Sequence, residues 1–146
     1  PDHILNKPGP LDADEWQIMK QHAVIGANSI KHAMMGEADH TPLAFLHVAM
    51  EIAHSHHEKW DGSGYPDGLQ GEAIPLSARL MALADVFDAL ISRRVYKAAY
   101  SHQEARRIIL EGQGQHFDPV LVAIFAARFE EFVAIAQRYA DEQSRT

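Results

Sequence analysis

Between residues 61 and 75 stand Gly62, Gly64, Gly68 and Gly71, together with Pro66 and Pro75. No helix survives that density of breakers, so this stretch must be an ordered loop. On either side of it the apolar residues recur at helical spacing. The chain is therefore expected to be all-α, a single domain of about five main helices organised around one long specified loop.

The helix starts carry local chemistry. Residues 1–11 read as a Pro/Gly-punctuated lead-in, with Lys7-Pro8-Gly9-Pro10 as a turn. Asp12 caps the first helix and Glu15 completes a capping box. Trp16, Met19, Ala23, Gly26 and Ile30 follow as an apolar stripe, and Gly36 ends the pattern. Thr41-Pro42 opens a second helix that runs to about His57. A third covers roughly residues 76–92. Ser101 with Glu104 caps a fourth, which ends near Gly112. Asp118-Pro119 opens a fifth that runs to about residue 140, with Phe125, Phe132 and Tyr139 at apolar positions. Residues 12–140 form the helical core on this reading, and 141–146 a polar tail.

Composition narrows the chemistry. The 146 residues contain no cysteine, which excludes disulfides, thiolate zinc sites and a cysteine nucleophile. Any metal must be held by His and carboxylate, ligands that suit iron, manganese or zinc. A formal charge of −7 makes the chain a poor general binder of polymeric nucleic acid. It still allows a small phosphodiester held by a few local cations. No apolar run approaches the roughly 20 residues that span a bilayer. The first residues have neither a basic start nor an apolar signal segment, so a cytoplasmic location is expected. Pro1 in place of a starting Met points to a fragment.

Three places combine metal-binding side chains with helical faces. Asp85 lies among Leu80, Met81, Leu83, Ala84, Val86, Phe87 and Leu90, on a helix apolar nearly all round and hence expected to be central. A carboxylate there needs a metal or a partner; a helix cap or Arg79 would serve as well as an ion. His56 and His57 stand where the second helix runs out, able to aim two imidazoles into one cavity or simply to be solvated. His22 lies mid-helix beside the apolar stripe, either a ligand or a satisfied boundary residue. His32, His40, His47, His54 and His102 read as bystanders. Facing helices that converge such side chains are a recurrent way to build a metal site.

The loop turns these separate hints into one reading. His56-His57-Glu58-Lys59-Trp60-Asp61-Gly62-Ser63-Gly64-Tyr65-Pro66 matches HHExxDGxGYP at every defined position. That string is the signature of the HD-GYP family, which this chain resembles from residue 1 to about 128. Ile74-Pro75-Leu76-Ser77-Ala78-Arg79, Ala84 to Leu90, Arg94-Val95-Tyr96-Lys97 and Phe117-Asp118-Pro119 fit the same pattern. The resemblance implies an HD-domain-like helical fold and metal-dependent hydrolysis of cyclic di-GMP to linear pGpG, to GMP or to both. It implies metal ligands at His22, His56, His57 and Asp85. In two-metal members only the first of the His pair need bind; in three-metal members both can. It places Tyr65, Arg94 and Lys97 against the substrate. Asp61, Gly62, Gly64 and Pro66 are expected to shape the loop, the glycines by allowing sharp turns.

The resemblance also sets the cofactors and partners. Two or three divalent transition ions are implied, iron or manganese ahead of zinc or nickel. The expected partners are cyclic di-GMP, an upstream signal-receiving domain and a second copy of the chain in a homodimer. The family's His-Asp pair and following lysine are absent, so the chain reads as an HD-GYP domain truncated before that pair. Arg93-Arg94-Val95-Tyr96 stands where the family often has Asp-Arg-Pro-Tyr, and extra residues around Gly36 to Pro42 read as a longer surface loop. The nucleophile implied is metal-bound hydroxide, with no catalytic side chain beyond the metal ligands. The competing reading is a degenerate module that binds cyclic di-GMP or a protein partner without cleaving it.

Overall fold

A computed structural model describes residues 1–35, 43–92 and 99–143. Among these residues the secondary structure is all-α: α1 (Asp2–Leu5), α2 (Ala13–Met35), α3 (Leu43–Ser55), α4 (Leu76–Ile91), α5 (His102–Glu111), α6 (Pro119–Ala127) and α7 (Phe129–Gln143), with a single 3-10 turn at Gly71–Ala73. Two isolated bridges, Asp61 with Gln70 and Gln113 with Phe117, are the only extended pairings described. Among the described residues no helix is long and apolar enough to cross a membrane.

The chain divides into two compact units, Pro1–Ala78 and the residues from Arg79 onward. In the first, α2 packs on α3. Ala23 and Ala27 are buried, and a Cβ placed on Gly26 would stand 3.8 Å from that of Ala53. Small residues at this spacing allow the two helices to lie close. The expected capping box closes the start of α2: the Glu15 N–H donates to Asp12 Oδ1 at 2.9 Å and the Asp12 N–H to Glu15 Oε2 at 2.9 Å. Lys7 pairs with the same Glu15 carboxylate. The lead-in is more regular than expected: Asp2–Leu5 forms one helical turn whose Ile4 is buried. A buried apolar side chain gives this short turn what its length alone would not.

In the second unit the core gathers Leu83, Phe87, Ala105, Ile109, Phe117, Val122, Phe125 and Phe129. Phe87 meets Phe125, Phe132 and Phe129 edge-on, with centroids 5.6, 6.0 and 6.4 Å away. Each such aromatic pair adds about 0.5–1.5 kcal/mol beyond the area it buries. Ser101 and Glu104 form the expected box at the start of α5. Asp118 caps α6, accepting from the Val120 N–H at 2.8 Å, and its other oxygen takes Arg79 at 2.6 Å.

Two expectations are corrected here. The fifth helix is not continuous to residue 140. It breaks at Arg128, whose φ of −111° and ψ of 21° leave the helical range, and α7 restarts at Phe129. No Gly or Pro announces the break; it falls where three phenylalanines converge on Phe87. Nor is α4 buried all round. Ala78, Ala82, Leu83 and Phe87 are buried, whereas Leu76, Leu80, Met81, Ala84 and Asp85 are exposed. An apolar sequence states what a helix can bury, while packing decides which stripe it does bury. Arg79, a possible partner for Asp85 from the sequence, pairs with Asp118.

Candidate metal centre

His56 and His57 occupy the turn immediately after α3, half-buried, and His22 comes from α2. Because α2 packs on α3, residues 35 positions apart in sequence meet: His22 Nε2 lies 3.0 Å from His57 Nε2. The ring centroids of His56 and His57 are 4.0 Å apart, and that of His22 is 4.9 Å from His57 and 5.9 Å from His56. One ligand atom from each of the three lies within 4.8 Å of the others, with His22 exposed.

The donor chemistry fits a divalent ion. His22 Nδ1 is 2.5 Å from the Met19 carbonyl oxygen and His56 Nδ1 is 2.7 Å from that of Ile52. A carbonyl only accepts, so each Nδ1 donates and Nε2 is the ring nitrogen left to face outward. Ligating histidines are commonly held this way, with the second nitrogen fixing tautomer and ring plane. His22 Nε2 and His57 Nε2, 3.0 Å apart, are close enough to share a proton or to face one ion.

The loop beyond the pair is organised residue by residue. Asp61 Oδ1 accepts from the Ser63 N–H at 2.9 Å, and Asp61 bridges to Gln70. Gly62 takes a φ of +83°, open to glycine and rarely to others. A Cβ on Gly64 would fall 2.4 Å from the Lys59 nitrogen, 2.5 Å from the Glu58 Cα and 2.6 Å from the His57 oxygen. Glycine at 64 therefore lets one strand of the loop cross directly against the histidine turn. Tyr65, followed by a cis peptide to Pro66, lays its ring against His57 with centroids 4.8 Å apart and planes inclined by 25°.

The structure thus brings together His22, His56, His57 and Tyr65. Asp85 belongs to the second unit, exposed on α4. Arg94 and Lys97 lie outside the described residues, as do Thr41-Pro42 and the extra stretch from Gly36. Of the histidines set aside as bystanders, His54 pairs with Asp67 at 2.8 Å and His32 bonds the Asn28 carbonyl oxygen. His40 lies outside the described residues.

Two residues next to the site had no role assigned from the sequence. Lys20, two positions before His22, sets its Nζ 5.7 Å from the centre of the Tyr65 ring. Glu58 is 2% exposed, and its carboxylate accepts from the N–H groups of Asp67, Gly68 and Leu69 at 2.7, 3.1 and 3.0 Å. Its place inside the signature was visible. Its partners were not, because they are backbone amides and leave no mark on side-chain identity.

The sequence profile described as HD domain matches residues 1–121. The chain is 57% identical over 141 residues to a cyclic di-GMP phosphodiesterase of Vibrio cholerae, covering 97% of this chain and 28% of that protein. It is 45% identical over 135 residues to a 3'3'-cGAMP-specific phosphodiesterase of the same organism, covering 92% of this chain and 24% of the relative. A crystal structure of a cyclic GMP-AMP-specific phosphodiesterase from V. cholerae superposes with a TM-score of 0.62 at 26% identity, covering 93% of this chain and 35% of that one. The chain therefore spans about a quarter to a third of the length of these relatives.

Proposed function

The chain belongs to the HD domain family, and from that premise we propose that it hydrolyses cyclic di-GMP as a metal-dependent phosphodiesterase of the HD-GYP type. The observation that carries this reading is the convergence of three imidazoles at the head of an intact HHExxDGxGYP loop. The greater identity to the cyclic di-GMP relative than to the cGAMP-specific one favours the symmetric guanine dinucleotide as substrate.

His22, His56 and His57 would hold the metal, and Asp85 is a further ligand on the family pattern. Such an ion supplies Lewis acidity, making water nucleophilic near neutral pH and offsetting charge on the phosphoryl oxygens. Three neutral imidazoles leave the charge of the ion undiminished, whereas a carboxylate from Asp85 would temper it. Tyr65 offers a flat aromatic face beside His57, suited to stacking a base. Arg94 and Lys97 would hold phosphate and guanine, a role that rests on the Arg94-Val95-Tyr96-Lys97 match. No protein nucleophile is required. Two or three ions of iron or manganese, an upstream signal-receiving domain and a homodimer belong to the same proposal.

The test is chromatographic detection of linear pGpG or GMP from cyclic di-GMP with Mn2+ or Fe2+ supplied, with 3'3'-cGAMP in parallel. His56→Ala and Asp85→Ala should each lower turnover by more than the roughly 10–100-fold typical of losing an outer-shell partner. Binding of cyclic di-GMP without product would support the non-cleaving module instead. Unchanged turnover in Asp85→Ala would remove that residue from the ligand set.

A further inference from the structure

We propose that Glu58 is a positioning residue of the metal centre: its buried carboxylate ties residues 67–69 to the histidine turn and so holds the imidazoles and Tyr65 in register. This inference rests on the metal reading of His22, His56 and His57.

Burying a carboxylate is expensive unless its oxygens are satisfied. Here Oε1 takes the N–H groups of Asp67 and Gly68 and Oε2 that of Leu69, at 2.7, 3.1 and 3.0 Å. Hydrogen bonds to a charged acceptor are about twice as strong as neutral ones. The backbone of the same residue is also a contact point. Its N–H donates to the Ser55 carbonyl at the end of α3, and Gly64 passes against its Cα. Tyr65 lies in sequence between these two fixed places, and its N–H donates to the His57 carbonyl oxygen at 3.3 Å. Residue 67 is held twice, by its N–H on Glu58 and by its carboxylate on His54 at the end of α3. The stack of Tyr65 on His57 is thus braced from both sides, and Glu58 is common to both braces. Glutamine would fill the same space, but its NH2 would face a backbone N–H at one end, donor against donor.

The experiment is a Co2+ titration of this chain followed by visible absorption, for wild type and Glu58→Gln, with far-UV circular dichroism as the check on folding. The variant should stay helical, bind Co2+ roughly 10–100-fold more weakly and show altered ligand-field bands. Unchanged affinity and bands in a folded Glu58→Gln, with only a lower melting temperature, would mean a purely structural role and overturn the inference alone. No Co2+ binding by wild type would overturn the metal reading and this inference together. Linkage also gives a test on the wild-type chain, independent of whether the variant folds. Co2+ should slow hydrogen exchange at the amides of Asp67, Gly68 and Leu69. Identical exchange with and without the ion would overturn the proposal.

Discussion

Three backbone atoms stand where a Cβ on Gly64 would go, and none of them belongs to a side chain that could swing away. Its φ is not positive, so the demand there is for space rather than for unusual backbone conformation. Overpacking commonly costs about 1–3 kcal/mol, and contacts this short with rigid backbone belong at the upper end. Gly64→Ala should therefore destabilise the chain by about 3 kcal/mol, measured by thermal or urea unfolding. It should weaken Co2+ binding as well, because the crowding atoms include the His57 carbonyl. At this scale the signature made much of the site legible. In the structure His56 and His57 converge with His22, Tyr65 stacks on His57, and Asp61, Gly62 and Gly64 lie in the loop between His57 and Gln70. The apolar neighbours of Asp85 in sequence suggest an apolar environment, yet it is exposed. Sequence neighbours report what a residue travels with, not which way the helix turns it.

Capping boxes were the most readable feature of the elements, since donor and acceptor lie three residues apart and need no tertiary contact. At the start of α5 the Ser101 hydroxyl, and next the Ser101 N–H, hold the Glu104 carboxyl below its ordinary value of 4.5. A carboxyl depressed by folding adds stability that is complete above its unfolded pKa. That contribution is lost as pH falls through the lower folded pKa. Protection of α5 amides should therefore decline as acid is added below the ordinary carboxyl range, and Ser101→Ala should flatten that decline. Hydrogen exchange across an acid titration checks both. Loss of the serine cap should also cost about 1 kcal/mol at neutral pH. The break between α6 and α7 was not readable. It falls where Phe125, Phe129 and Phe132 gather around Phe87, from sites up to 45 positions apart, and no Gly or Pro in the local sequence marks it.

For the whole molecule, the fold class followed from helical periodicity and one loop rich in breakers, whereas the division at Ala78 and Arg79 falls inside a helix. A boundary within regular structure has no composition shift to betray it. The three imidazoles all lie in the first unit, so an ion that binds only the folded chain should stabilise it by mass action. At 100 times the dissociation constant the gain is about 2.7 kcal/mol. Scanning calorimetry with Mn2+ should show a rise in melting temperature that EDTA reverses and His56→Ala abolishes. A rise that persists in His56→Ala would place the ion elsewhere.

His22 and His56 share one further property. Each ring is steadied by a helix carbonyl three or four residues earlier, of Met19 in α2 and of Ile52 in α3, and neither borrows a neighbouring side chain for that purpose. Such a ligand is portable. Two helices at the spacing of α2 and α3, with the first residue of the turn after α3, would carry both imidazoles and their carbonyl partners into an unrelated bundle. For anyone building a metalloprotein from scratch, the costly part of the copy would be the third histidine and the loop that holds it.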